Sequence, residues 1–291
     1  NQFIHTLESN LSFVLVALAL TVVFAVSFFK WGVPAISDSI AEALPQKTNN
    51  VIGSHTFEFL DKYIFDESAI DEEGQNEIRT HFEQKLVSSY KSQEKIDFTL
   101  HFRDWSNDGV GIPNALALPS GDIIVTDKFI ELSENQNEID SVLLHEIGHI
   151  AHRHSLKMVI QSTIVTTAIM TITGDANGLA DMGIGLGALL LSANYSRDYE
   201  SEADQFAFDK MLEIGIDPIA FANIMQRMMD YSEELMGSGK QKDGTDNTPG
   251  KEDSADSEIS DYFSTHPATD KRKENAQRYS NCFKQGLKTC L

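Results

Sequence analysis

The sequence predicts a mainly α-helical α+β fold with a small β-sheet, behind one N-terminal membrane-spanning helix. Three observations predict it. Residues 11–29, LSFVLVALALTVVFAVSFF, run for 19 positions without a charge. At about 1.5 Å per residue that just covers a hydrocarbon core. Two short stretches, DFTLHF at 97–102 and GDIIVTD at 121–127, read as strands, the second after the turn Pro119-Ser120-Gly121. Through most of the remainder, apolar residues recur at helical spacing.

Size and charge bound the possibilities. A chain of 291 residues can bury a real core. With 44 Asp plus Glu against 23 Lys plus Arg, its formal net charge is -21. That argues against a nucleic-acid partner, which needs a basic face, and serves solubility.

The elements follow in order. Residues 11–30 read as a retained anchor, with Phe28, Phe29, Lys30 and Trp31 at its exit as at a membrane interface. The competing reading is a cleaved signal peptide; Ala25-Val26-Ser27 is a small-x-small tripeptide, but a basic leading segment is lacking. Because the sequence starts at Asn1 rather than Met, it reads as a fragment or as a chain whose upstream segment was removed. Residues 35–95 read as mostly helical, with Phe57, Leu60, Ile64, Ile78, Phe82 and Leu86 as periodic apolar positions. A helix is expected over 137–154, on the spacing of Ile139, Val142, Leu143 and Ile150, with Asn135 or Asn137 to cap it. Residues 156–195 are apolar with scattered Thr, Ser and Gln, broken by GDANGLADMG. Each half is short for a span and the break carries Asp175 and Asp181, so buried or membrane-touching helices are favoured over a second membrane hairpin. Further helices are expected over 196–214, stopped by Gly215 and Pro218, and over 218–236. Residues 237–260 are almost devoid of apolar side chains and read as a disordered acidic loop, ahead of a last helix. Residues 96–291 are taken together as the unit that carries the chemistry. Cys282 and Cys290 are the only cysteines. They read either as a disulfide, which would place them in an oxidising compartment such as a periplasm, or as two free thiols near the terminus.

The chemistry centres on His145-Glu146-Ile147-Gly148-His149. Histidines at i and i+4 on a helix lie on one face, one turn apart, where they can share a metal. Glu146 then stands beside an attacking water as a general base without ligating. Catalytic zinc takes three protein ligands and an open position. A third histidine of the longer H-E-x-x-H-x-x-G-x-x-H pattern would fall at 155, which is Ser155, so that class does not apply. His152 and His154 read as outer or surface groups rather than ligands. A carboxylate from a second helix is the other solution: Glu200 and Asp204 are i and i+4 in ESEAD. Glu200 would ligate, Asp204 would accept the N–H of a ligating imidazole, and Glu202 would point elsewhere. Taken alone, the same stretch is also an ordinary solvated acidic helix face.

These residues together resemble the HtpX-like and CAAX-prenyl-protease-like membrane zinc metallopeptidases, a gluzincin family. The shared elements are H-E-x-x-H at 145–149, then E-x-x-x-D within SRDYESEAD. Asn114-Ala-Leu-Ala-Leu-Pro119-Ser-Gly121 and Ser264-Thr-His266-Pro267, with Arg272 six residues past the histidine, complete the resemblance. It covers roughly 95–280 and is closest to single-anchor bacterial envelope members. It implies a zincin-type domain, one zinc ion per chain on His145, His149 and Glu200, and Glu146 as base. It implies that His266 and Arg272 donate to the developing oxyanion or orient its neighbours. Its implied activity is endoproteolysis of misfolded or membrane-associated polypeptides, in a domain anchored to lipid by one helix of the bacterial inner membrane and facing the periplasm. The acidic 237–260 stretch departs from the family, and 156–195 is less hydrophobic than the spans of its multi-span members. The segment 114–125, with Asn114, Ala115, Ala117 and Pro119, can also serve as an edge strand pairing with an extended substrate backbone. Its other reading is plain sheet pairing in the core.

Two rival functions remain at this stage. A holdase would bind unfolded chains in the same groove, with minor or gated hydrolysis. A scaffold with structural zinc is disfavoured, because such sites are usually Cys-rich and Glu146 would have no role there.

Overall fold

The computed structural model describes residues 11–90, 96–107, 109–173, 196–239, 266 and 269–290. Helix α1 (Leu11–Ser27) has no buried residue. It runs through a π-helical turn, Phe28–Gly32, into α2 (Val33–Ala43). The continuous helix of 33 residues from Leu11 to Ala43 is long and apolar enough to cross a membrane. At about 1.5 Å per residue it is longer than the hydrocarbon core, so its distal end reaches into the domain. There Val33, Ser37 and Ala41 are buried, and α2 packs against a later helix, α7 (His154–Thr173).

Next come α3 (Gln46–Tyr63), strand β1 (Asp66–Glu67), α4 (Glu72–His81) and a π-helical turn, Phe82–Val87. The region 35–95 is thus mainly helical as expected, but it also supplies a sheet edge that the sequence did not signal. Strand β1 is two exposed acidic residues, with no apolar alternation to mark it. Strands β2 (Thr99–Asp104), β3 (Ser106–Asn107), β4 (Val110–Gly111), β5 (Ala115–Ala117) and β6 (Asp122–Thr126) follow. The main sheet has the order β1-β2-β6-β5; β3 and β4 form a separate ribbon. Strands β2 and β6 pair in parallel, Leu100 opposite Ile123, while β5 runs antiparallel to β6, Leu116 opposite Ile124. Both faces of the sheet are covered, which explains the unbroken apolar run in β6. Ile123 and Val125 face the larger core, and Ile124 packs with Leu60, Trp105 and Val159 on the other side.

After α5 (Asp127–Leu132) comes α6 (Gln136–Ala151), capped by the Asn135 side chain accepting from the Asn137 N–H. Every residue of α6 from Glu138 to Ile150 is buried. The expected single helix over 137–154 is in fact interrupted. Arg153 adopts a left-handed conformation, φ 57°, and α7 begins at His154. The N-terminal half of the 156–195 stretch is the single helix α7, with Leu156, Met158 and Val159 buried; residues 174–195 lie outside the described residues. Helix α8 (Arg197–Ile214) starts at its Ser196 cap and ends at Gly215 in the left-handed region, φ 77°. Helix α9 (Ile219–Gly239) extends three residues into the expected 237–260 loop, whose remainder lies outside the described residues. Helix α10 (Asp270–Lys284) is capped by Thr269. Cys282 and Cys290 form a disulfide, closing the chain back on the end of α10.

Candidate metal centre

Helices α6 and α8 make the site by close approach. Gly148 lies against Ala203: a Cβ on it would sit 3.1 Å from both the Cα and the carbonyl oxygen of Ala203. Two small residues at the crossing let the backbones approach and bring Glu200 and Asp204 over the histidine pair. The third wall comes from α10, whose Arg272 reaches back towards α8.

The donor atoms converge. His145 Nε2 and His149 Nε2 are 2.9 Å apart. Glu200 lies 3.6 Å from the first and 3.3 Å from the second. A tetrahedral zinc with bonds of 2.0–2.1 Å places its ligand atoms about 3.3 Å apart, so the spacing fits. Two imidazole nitrogens, a carboxylate and no sulfur are the donor set of a catalytic rather than a structural zinc. All three residues are buried.

His266 is drawn in further than a residue that only touches the substrate oxygen would be. Its Nδ1 is 3.0 Å from Glu200 and 3.3 Å from His145 Nε2, so it offers a fourth ligand atom to the same centre. Its Nε2 is 3.7 Å from Glu146. Burial opposes protonation of this ring, but Glu200 and Glu146 outweigh it and hold His266 above the usual histidine range. Ser264, Thr265 and Pro267 lie outside the described residues.

The Glu146 carboxylate is fully buried. Burial pushes it above the usual glutamate range, against the pull of His266 and His145. Burial works the same way on Glu200, yet His266 and Arg272 overcome it and hold that carboxyl well below its usual range. His149 is pushed down to about 3, chiefly by burial, and is neutral at physiological pH. Burial also pushes His154 far down.

Behind the donors lies a second layer. Asp204 Oδ1 is 3.0 Å from His145 Nδ1. Arg272 grips Asp204 through Nε and Nη2, both at 2.7 Å, and reaches Glu200 with Nη1 at 2.7 Å. Its guanidinium stacks over Phe221, 5.2 Å from the ring centre. Arg272 therefore locks the two carboxylates of α8. Burial would raise Asp204; Arg272 and His145 prevail and hold it below the usual range.

The sequence reading missed one contact. Glu202 points away from the donor atoms as expected, but it lies 3.1 Å from His154 Nε2, and His154 Nδ1 is 3.0 Å from His149 Nδ1. Regular helix geometry hides this, because the left-handed Arg153 turns His154 back beneath α6.

The segment 112–119 is buried throughout. Strand β5 lies at the sheet edge. Thr126 donates to the Asn114 carbonyl and Leu118 donates to Asp122, so antiparallel alternation turns the backbone groups of Ala115 and Ala117 away from β6. The Ala117 carbonyl accepts from the Ser155 hydroxyl at 2.9 Å. Asn114 Oδ1 is buried without a hydrogen-bond partner among the described residues. Pro119 borders a small cavity beside His149 and Arg153.

A helix-borne histidine pair closed by a carboxylate from a neighbouring helix, set beside a small mixed sheet, defines a gluzincin-type metallopeptidase centre. The sequence relationships agree. Residues 83–280, roughly two thirds of the chain, match peptidase family M48, and the chain belongs to that family. It is 38% identical over 107 residues to metalloprotease YcaL of Escherichia coli, covering 35% of this chain and 42% of that protein. It is 24% identical over 194 residues to the beta-barrel assembly-enhancing protease of Yersinia pestis, 63% of this chain and 35% of the relative. Against the mitochondrial metalloendopeptidase OMA1 of Saccharomyces cerevisiae the figures are 25% over 176 residues, 60% and 45%. The chain spans less than half the length of each of these relatives.

Proposed function

We propose that the protein is a membrane-anchored zinc endopeptidase acting on misfolded or membrane-associated polypeptides in the bacterial envelope. The convergence of His145, His149 and Glu200 on one point, with the buried Glu146 beside it, carries this reading. His145, His149 and Glu200 would hold the zinc, which supplies Lewis acidity to the scissile carbonyl and to the attacking water. Glu146 takes the proton of that water and hands it to the leaving amine. Asp204 holds His145 in the tautomer that presents Nε2, and Arg272 holds Asp204 and Glu200 in place. Beside them, the outward backbone of Ala115 and Ala117, flanked by Asn114 and Pro119, is buried and held at the Ala117 carbonyl by Ser155, so an extended substrate would add to this edge as a strand once that contact opens. Such binding reads main chain rather than side chains, which suits a quality-control substrate range.

The apolar helix from Leu11 supports a single-pass anchor. The Cys282–Cys290 disulfide supports an oxidising compartment, hence a periplasmic domain on the inner membrane. The name of the Yersinia pestis relative supports an envelope role.

One observation favours a gated form of the same function. His266 Nδ1 lies within reach of the same point, and a zinc that took it as a fourth donor would have no open position, as in structural sites. In that case cleavage would require His266 to withdraw, and with His266 in place the groove would act as a holdase.

The test is casein cleavage by the detergent-solubilised chain loaded with zinc, beside Glu146→Gln. Cleavage by the parent alone, lost on chelation, is expected. Equal cleavage by both proteins would overturn the reading. Aggregation suppression by both, without cleavage, would establish the holdase instead.

A further inference from the structure

We propose that His154 and Glu202 are positioning residues for the metal. In this reading a hydrogen-bonded chain, Glu202–His154–His149, fixes the tautomer and angle of His149. The inference rests on the metal-centre reading above and deepens it.

The tautomers follow one another without choice. His149 Nε2 faces His145 and Glu200. A neutral imidazole that offers Nε2 to a cation carries its proton on Nδ1. That Nδ1 lies 3.0 Å from His154 Nδ1, so His149 donates and His154 accepts. The His154 proton then sits on Nε2, 3.1 Å from Glu202 Oε2, where it is donated to the carboxylate. The His154 side chain is fully buried, whereas Glu202 is 51% exposed, so the chain runs from the metal centre to solvent. It matches on His149 what Asp204 does for His145, with the negative charge one ring further out.

The same logic decides against a second ion nearby. His152, His154 and Glu202 offer three ligand atoms within 4.8 Å of one another. With its proton on Nε2 and its lone pair engaged by His149, however, His154 has nothing to give a metal. The cluster works as a hydrogen-bonded support.

The fold holds the ring in place. His154 stacks on Tyr199 at 4.4 Å between centroids, with 13° between planes. It is the first residue after Arg153, whose left-handed backbone is unfavourable for a non-glycine. Arg153 is kept there by donating to the Ala41 and Leu44 carbonyls, at 2.7 and 2.8 Å. The turn that aims His154 at His149 is thus anchored on the C-terminal end of α2.

The test measures zinc affinity rather than activity. The full chain in detergent is compared with His154→Leu, His154→Gln and Glu202→Leu by competition with a chromophoric chelator. The zinc-free melting temperature and the visible spectrum of the cobalt-substituted protein are read alongside. His154→Leu should bind zinc about 10–100-fold more weakly and shift the cobalt spectrum. His154→Gln keeps a carbonyl that accepts the His149 proton and should recover most of the affinity. Glu202→Leu, at a half-exposed position, should fold normally and show an intermediate loss. Affinity for His154→Leu within twofold of the parent would overturn the proposal. So would a His154→Gln that falls as far as His154→Leu, which would make the ring a packing element only. Should His154→Leu not fold, His154→Gln and Glu202→Leu decide: parental affinity in Glu202→Leu contradicts the chain. A parent that binds no zinc would sink the metal-centre reading itself, which is a different failure.

Discussion

Replacing Asp204 by asparagine removes one charge and almost no volume, and the structure fixes what that should cost. The carboxylate places Oδ1 3.0 Å from His145 Nδ1 and accepts from two Arg272 nitrogens at 2.7 Å, Nη2 on Oδ1 and Nε on Oδ2. An amide has one oxygen where the carboxylate has two, so its NH2 faces either Arg272 Nε alone or both His145 Nδ1 and Arg272 Nη2. If the oxygen takes the Oδ2 place on Arg272 Nε, the NH2 faces Arg272 Nη2 and also His145, which loses the group that holds Nε2 towards the metal. Loss of such a partner weakens metal binding about 10–100-fold, or about 1.4–2.7 kcal/mol. In either orientation Arg272 loses one charge-assisted hydrogen bond, worth about 1.5–3 kcal/mol of fold stability. Arg272 keeps Glu200 in either case, so the protein should still fold. The assay pairs zinc affinity at pH 7, by chelator competition, with the melting temperature of the zinc-free protein. The expected outcome is a lower melting temperature of the zinc-free protein, joined by a weaker zinc site where His145 also loses its partner. Zinc affinity within threefold of the parent at an unchanged melting temperature would refute the reasoning.

Other perturbations probe neighbouring claims. Gly148→Ala puts a Cβ 3.1 Å from the Ala203 backbone; such overpacking costs about 1–3 kcal/mol and should weaken zinc binding by pushing α8 away, read as a lower melting temperature and a higher zinc Kd together. Glu146→Gln should stabilise the zinc-free protein at neutral pH. Burial raises the folded-state pKa of Glu146 above 4.5, so the folded state holds its proton longer than the unfolded chain. Its contribution to stability is therefore present at acid pH and is lost as pH rises from about 4.5 through the raised value. Melting temperatures across that range should fall more steeply for the parent than for Glu146→Gln. Reducing the Cys282–Cys290 disulfide opens a loop of sequence separation 8, for which chain entropy gives about 2.5 kcal/mol; denaturant unfolding with and without reductant measures it.

Much of this arrangement could be read from the sequence because it is local. Histidines at 145 and 149, and carboxylates at 200 and 204, share helix faces by spacing alone. The apolar run at 11–29 and the strand at 122–126 stand out by composition. What could not be read depends on how distant elements meet. Strand β1 is two acidic residues that pair only because β2 leaves an edge beside them. Strand β5 is Ala-Leu-Ala, without the β-branched residues that mark a strand. The break at Arg153 has no glycine or proline to announce it; it is held by carbonyls more than a hundred residues away in sequence. Because that break was invisible, so was the approach of His154 to His149 and of Glu202 to His154. Likewise, helical spacing assigns Arg272 to a face of α10 but cannot say that it clamps both carboxylates of α8.

The central claim is a single zinc ion on His145, His149 and Glu200. Elemental analysis and X-ray absorption on the purified chain, beside His149→Ala, test it most directly. The account predicts one zinc per chain, a first shell of nitrogen and oxygen at about 2.0–2.1 Å without sulfur, and loss of that zinc in His149→Ala. A parent free of zinc, a sulfur-containing shell, or a His149→Ala protein that keeps its zinc would contradict it.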